Sequence, residues 1–142
     1  MEKVLLAYDG SECAQHALDY VLGLATRQPN LTVDVITVEQ EPRLYGEIAV
    51  YVQKETIEKA LLEAGAAVAS AAGAKLAAAG VSHNAEVLLG EPAQVIAQRA
   101  EALGSSQIVM GTRGMGGLGN LLLGSVATKV LHQTHVPVTL IR

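Results

Sequence analysis

The chain contains neither phenylalanine nor tryptophan, and aromatic residues make up only 3% of its 142 positions. Recognition of RNA or single-stranded DNA by base stacking needs aromatic platforms, so this scarcity argues against it. A formal net charge of −4 argues against general polyanion binding as well. Cysteine is nearly missing: Cys13 stands alone, which excludes an intrachain disulfide framework and suits a reducing compartment. Half of the residues are apolar, yet no run approaches ~18 uninterrupted apolar residues, so no membrane insertion is expected. The opening MEKVLLAYDGS reads as a strand, not as a secretory leader with a basic region and a small-residue cleavage site. The expectation is one cytoplasmic domain, long enough to bury roughly two-thirds of its unfolded surface without cross-links.

Acid is missing from one end. All fourteen Asp and Glu lie at or before Glu101, after which Arg113, Lys129 and Arg142 are the only formal charges. A small anion would meet no fixed carboxylate there. The plainer reading is an apolar segment that simply lacks charge.

What is present alternates. Lys3 to Tyr8 is an apolar run ending in Asp9-Gly10-Ser11, a strand followed by a turn and a helix cap. Ala14, Ala17, Leu18, Val21, Leu22 and Ala25 recur at helical spacing and predict a helix from Glu12 to about Thr26. Leu31 to Val38 is β-branched and reads as a second strand. The polar stretch from Glu39 to Val50 has no readable conformation. A long helix is expected from about Tyr51 to Ala79, with Ile57, Leu61, Ala64, Val68, Ala72 and Leu76 as its buried stripe and Glu55–Lys59 as a supporting pair. His83 to Leu89 is a third strand, and a helix begins at Glu91-Pro92 and stops at Gly104. Gln107 to Met110 is a fourth strand. Val126, Ala127, Val130 and Leu131 mark one face of a last helix, and Val136 to Ile141 is a fifth strand. Strands alternating with helices imply a parallel sheet covered on both faces, in a single domain spanning residues 1–142.

The fourteen glycines are not spread evenly: Gly111, Gly114, Gly116, Gly117 and Gly119 crowd between the fourth strand and the last helix. Strand, glycine loop and helix start place bare backbone N–H groups where an anion can approach. Gly114-Met115-Gly116-Gly117-Leu118-Gly119 matches the dinucleotide fingerprint, but that belongs after the first strand with an acid ~20 residues further on. Gly119 to Gly124 has P-loop spacing, yet Ser125-Val126 follows instead of Lys-Ser or Lys-Thr. A phosphorylatable receiver Asp is missing from Leu88-Leu89-Gly90.

What remains is Gly111-x2-Gly114-x9-Gly124-Ser125. With Asp9-Gly10-Ser11, Gly90-Glu91-Pro92-Ala93 and Val136-Pro137-Val138, it resembles the universal stress protein family over the whole chain in order. The resemblance implies a doubly wound, open, Rossmann-like parallel sheet of five strands, of the adenine nucleotide alpha hydrolase-like kind. It also implies the strand order, commonly a homodimer, and a role in stress survival or in regulating a partner protein. Family members with this glycine motif are associated with ATP binding. The implied ligand is an adenine nucleotide: ATP, ADP or AMP, with or without Mg.

In such sheets ligands bind at the carboxyl ends of strands where the winding reverses. Gly111 and Gly114 would let backbone approach the ligand, donate N–H groups and supply any positive φ required. Gly124, Ser125 and Val126 open the last helix, whose amides and hydroxyl can hold phosphates; Ser125 is also readable as an N-cap. By the resemblance, Asp9 and the backbone of Val38 contact the adenosine portion, and Ala7 and Met110 line the apolar pocket. Arg113 either pairs with phosphate or is a solvated loop residue, and Thr128 either reaches a phosphate or covers the helix. Catalytic residues and metal ligands are not expected, since the cradle holds no Asp, Glu, His or Lys before Lys129. The reading is therefore a nucleotide-binding regulator, with a non-binding interaction module as the alternative and a slow ATPase as a weaker one. The last strand, Val136 to Ile141, has no following helix and is the expected homodimer edge.

Overall fold

The computed structural model describes residues 2–41, 53–114 and 122–142. Most of the unreadable stretch after Glu39, the expected helix start at Tyr51 and the dense glycines Gly116, Gly117 and Gly119 lie outside the described residues. The elements run β1 (Lys3–Ala7), α1 (Glu12–Arg27), β2 (Thr32–Glu39), α2 (Lys54–Ala78), β3 (Ser82–Leu89), α3 (Pro92–Leu103), β4 (Gln107–Gly111), α4 (Ser125–Gln133) and β5 (Val138–Ile141). The strands form one sheet in the order β3-β2-β1-β4-β5. Every neighbouring pair is parallel: Ala7 stands beside Ile36 and Met110, Val38 beside Leu88, and Gly111 beside Ile141.

β1 is central, and its alternation divides the core. Val4, Leu6 and Tyr8 point to the face covered by α1 and α2, with Val33, Val35 and Val109 beside them. Leu5 and Ala7 point to the face covered by α3 and α4, together with Ile36, Ile108 and Met110. Both sides of the central strands are buried, which is why they read as continuous apolar runs and not as an alternation. The helices carry the matching faces. Ala17, Leu18, Val21 and Leu24 of α1 are buried, as are Ala93, Ile96, Ala97 and Ala100 of α3. Helix ends follow local chemistry. The Glu91 carboxylate accepts the amides of Ala93 and Gln94 at 3.3 and 2.8 Å, and Gly104 closes α3 at φ +66°.

Three expectations are corrected. On α2 the buried line is Gly65, Ala69, Ala72, Gly73 and Leu76, whereas Ala64 faces solvent. Small side chains throughout this helix leave the apolar period nearly blind to direction, so packing on β2 and β3 chooses the face. The ion pair on it is Lys54–Glu58 at 3.8 Å, one residue earlier than Glu55–Lys59. The last strand begins at Val138, because the Val136 amide turns to donate to Thr134 Oγ1 at 3.0 Å and Pro137 has no N–H to offer. By length and composition α2 is apolar enough to cross a membrane; here its small-residue line lies on the sheet.

Gly65 and Gly73 occupy that line differently. A Cβ on Gly65 would stand 2.5 Å from Val87 Cγ1 and 3.1 Å from Glu39 Cγ, while one on Gly73 would meet His83 Nε2 at 3.6 Å, an ordinary contact. Gly73→Ala is therefore expected to stabilise by about 0.5–1 kcal/mol through helix propensity. Gly65→Ala is expected to destabilise by about 1 kcal/mol, because overpacking outweighs the same gain. Urea denaturation of the two variants checks the opposite signs.

Candidate functional site

The chain winds one way from β1 through α1 to β2 and the other way from β4 through α4 to β5. Between the carboxyl ends of β1 and β4 the loops diverge and leave a crevice of about 390 Å³. This is the reversal point at which open parallel sheets take ligands.

One wall is the turn after β1. Asp9 Oδ1 accepts the Ser11 amide at 2.9 Å, closing a turn that runs through Gly10 at φ +80°. Ser11 caps α1: its Oγ accepts the Ala14 amide at 3.2 Å and donates to the Arg113 carbonyl at 3.5 Å. The same hydroxyl therefore starts a helix and ties the two walls together.

The other wall is the turn after β4. A Cβ on Gly111 would lie 2.6 Å from Cys13 Cβ and 2.9 Å from the Cys13 carbonyl carbon. Glycine is needed there so that the first turn of α1 can rest on the strand end. A Cβ on Gly114 would lie 2.8 Å from Asp9 Oδ2, so the Asp9 carboxylate sits directly over that backbone. Neither residue has positive φ; among the described glycines that conformation belongs to Gly10, Gly80, Gly90 and Gly104. The tolerance of positive φ expected of Gly111 and Gly114 is thus not used, and what both positions require is close approach of neighbouring atoms.

The start of α4 forms the third side. Gly124, not Ser125, is the N-cap, and no side chain among the described residues caps this helix. The Gly124 amide donates to the Thr112 carbonyl at 2.6 Å, so it holds the loop in place and is not a free donor. Its carbonyl accepts both the amide and the hydroxyl of Thr128, at 3.1 and 3.0 Å. The Thr128 hydroxyl is thereby turned back along the helix. The amides of Ser125, Val126 and Ala127 open the helix toward the crevice, at the positive end of its dipole.

Ten residues singled out from the sequence line this one crevice: Ala7 and Asp9 from β1 and its turn, Val38 from β2, Met110, Gly111, Arg113 and Gly114 from β4 and its loop, and Gly124, Ser125 and Val126 at the head of α4; Thr128 does not. Sequence reasoning missed Ile36, Pro92 and Ile96, which complete the apolar floor, and Ser11 and Thr112, which complete the polar rim. Ile36 was within reach, since it shares a strand face with Val38 two positions on. Pro92 was too, because the β3–α3 turn must lie at the same end of a parallel sheet. Cys13 is buried, with Sγ 4.0 Å from Thr112 Oγ1. His132 lies in the last turn of α4 and does not line the crevice.

The electrostatics are lopsided. Asp9 is the only carboxylate among the described lining residues, and Arg113 is the only cation. Glu91, next to Pro92, spends its carboxylate on capping α3. Burial raises the Tyr8 phenol above its ordinary pKa, and the negative charges of Asp9 and Asp19 raise it further. Among the described residues no three His, Cys, Asp or Glu converge as a metal site. The arrangement suits a flat, largely apolar group in the slot, with an attached anion at the α4 end.

Comparison with known proteins identifies the family and the fold. The sequence model of the universal stress protein family matches residues 1–142. A universal stress protein of Thermus aquaticus is 36% identical over 144 residues, covering 98% of this chain and 97% of that protein. Among solved structures, that of hypothetical protein MJ0577 superimposes with a TM-score of 0.86 at 28% identity, covering 99% of this chain and 94% of that one. Two further structures share the fold. A universal stress protein in complex with cAMP has a TM-score of 0.71 at 20% identity, covering 99% and 97% of the two chains. An Arabidopsis thaliana member with AMP bound has a TM-score of 0.72 at 18% identity, covering 99% and 91%.

Two outcomes are expected. Gly111→Ala should destabilise by about 2 kcal/mol, since its Cβ meets backbone as well as side chain, whereas Gly114→Ala, which meets only the end of Asp9, should stay within about 0.5 kcal/mol. Urea titration separates them. The second outcome concerns Tyr8. An unfolded tyrosine ionises near pH 10, and the buried one higher, so above pH 10 the unfolded state releases its proton first and stability falls as pH rises. Stability measured at pH 8 and pH 11 should drop less in Tyr8→Phe than in the parent.

Proposed function

The chain belongs to the universal stress protein family, and on that premise we propose that its crevice holds an adenine nucleotide and that the protein works as a dimeric regulator in the stress response. The observation carrying this reading is the convergence, around one slot, of the apolar floor from Ala7, Val38 and Met110 with the uncapped start of α4. Adenine is flat and apolar enough for the floor, and phosphate suits the amides of Ser125 and Val126 with Arg113 beside them. The AMP and cAMP carried by the two structural neighbours support the same ligand class. Asp9 Oδ2 lies against Gly114 at the rim of the slot, and in this reading it accepts a hydroxyl of the ribose.

The role is binding, not turnover. Hydrolysis needs a positioned base or a water-orienting group. Asp9 already accepts the Ser11 amide, and Glu91 is committed to its cap. Magnesium arriving with ATP would be held chiefly by phosphate oxygens, since Asp9 is the single carboxylate on the described lining. The effect on the cell would pass through a partner protein that reads the occupied form. The homodimer is assigned to the outer edge of β5, which among the described residues pairs only with β4.

Titration calorimetry with AMP, ADP and ATP tests the ligand. At least one should bind, and Gly114→Val and Ser125→Val should each weaken it by about tenfold or more, because one displaces Asp9 and the other removes a phosphate donor. Absence of heat with all three at millimolar concentration overturns the reading. Sedimentation at micromolar protein should give a dimer, and a clean monomer there would sink the assembly proposed for β5.

A further inference from the structure

We infer that Ser11 is a positioning residue for the phosphate: its hydroxyl fixes the peptide between Arg113 and Gly114 with the N–H turned toward the head of α4. This rests on the nucleotide reading above and deepens it, from which ligand the crevice holds to what makes the backbone ready for the anion. Ser11 is buried and lines the crevice. Its oxygen accepts the Ala14 amide at 3.2 Å, a bond that uses a lone pair. The hydroxyl proton is left over and goes across the slot to the Arg113 carbonyl at 3.5 Å. Capping α1 needs only the first bond, which an aspartate would make as well. The second bond needs a donor, and it is what distinguishes a hydroxyl at this position.

That bond matters because of the peptide it holds. A trans peptide sends its C=O and its N–H in opposite directions. With the Arg113 oxygen drawn to α1, the Gly114 N–H points away from α1. The Gly114 nitrogen lies on the α4 side, since a Cβ built on Gly124 would stand 3.9 Å from it. It joins the amides of Ser125, Val126 and Ala127 around the anion. The preceding carbonyl is held the other way, the Thr112 oxygen accepting the Gly124 amide at 2.6 Å. Successive carbonyls thus tie this loop first to α4 and then to α1.

Without a hold, the Arg113–Gly114 peptide is free to turn over. Rotating a peptide plane changes ψ of the residue before it and φ of the residue after it, as type I and type II turns differ, and glycine in the second place accepts either form. Glycine is required at 114 for another reason, because a Cβ there would lie 2.8 Å from Asp9 Oδ2. The residue that makes room for Asp9 therefore also loosens the peptide. Turned over, the peptide would present the Arg113 oxygen to a phosphate, an acceptor facing an anion. The Ser11 hydroxyl selects the donor.

The test compares ligands that differ only in the phosphate, on the full chain. Glycine is nearly as good an N-cap as serine, so Ser11→Gly removes the proton donor and keeps α1, which urea denaturation checks. Calorimetry should find AMP weakened about tenfold in Ser11→Gly, the loss of one charge-assisted bond. Adenosine, followed by NMR at millimolar concentration, should stay within about twofold, since it lacks the group that the peptide serves. Ser11→Thr, which keeps a hydroxyl, should hold AMP to within about threefold of the parent. A serine with a structural role alone would weaken both ligands alike; that result, or unchanged AMP affinity in Ser11→Gly, overturns the inference. A second measurement needs no variant. In the parent carrying isotopically labelled glycine, the Gly114 amide resonance should shift with AMP and far less with adenosine. A Gly114 amide indifferent to AMP overturns the positioning role, whether or not Ser11→Gly folds. If AMP binds and these results fail, the nucleotide reading stands without Ser11. If AMP, ADP and ATP all fail to bind the parent, both fall.

Discussion

The site depends on how closely α1 can approach the end of β4. Gly111 leaves no room for even a methyl group between the strand and the Cys13 backbone. That contact brings the first turn of α1 down onto the sheet, which lets the Ser11 hydroxyl reach the Arg113 carbonyl and sets Asp9 over Gly114. A larger residue at position 111 would push the helix away and separate the two walls. The crevice is therefore a product of packing at its base as much as of the polar groups at its rim.

The glycine constellation thus divides by task. Gly111 serves helix–strand contact, Gly114 leaves space for a carboxylate, and Gly124 orients the head of α4 while giving its amide to Thr112. None of the three uses the backbone freedom for which glycine is usually invoked. Left-handed geometry is used in the turn at Gly10 and at the helix end at Gly104, where the chain must reverse within a few residues.

Most of the architecture was legible in the sequence because the strands are buried on both faces and the turns carry strong signals. Val4 to Ala7 is a continuous aliphatic run, Thr32 to Val38 is β-branched apart from Asp34, and Pro92 and Gly104 bracket α3 unambiguously. The buried face of α2 was not legible, since alanine and glycine stand on nearly all its sides and only contact with Val87 and Glu39 selects Gly65. The position of each candidate site residue at one crevice followed from the glycine spacing and the family resemblance. The bonds that give them different tasks did not, because the Thr112–Gly124 and Ser11–Arg113 contacts join residues whose proximity depends on tertiary packing. Thr112 in particular shows no signal in its side chain: its backbone N–H holds Ile141 and its carbonyl holds Gly124.

The strand order carries a consequence for how the protein comes to exist. β1 precedes the other four strands and lies at the centre, yet its neighbour β4 is about a hundred residues away along the chain, Val4 pairing with Gln107. As the polypeptide emerges, β1, α1, β2, α2 and β3 can assemble into a half-sheet with one raw edge. The rest must then dock onto that edge, a long-range step that is intrinsically slow. The crevice lies on this seam, so it forms only when the two halves meet. A small molecule that bridged the seam would brace the two halves of the sheet against each other.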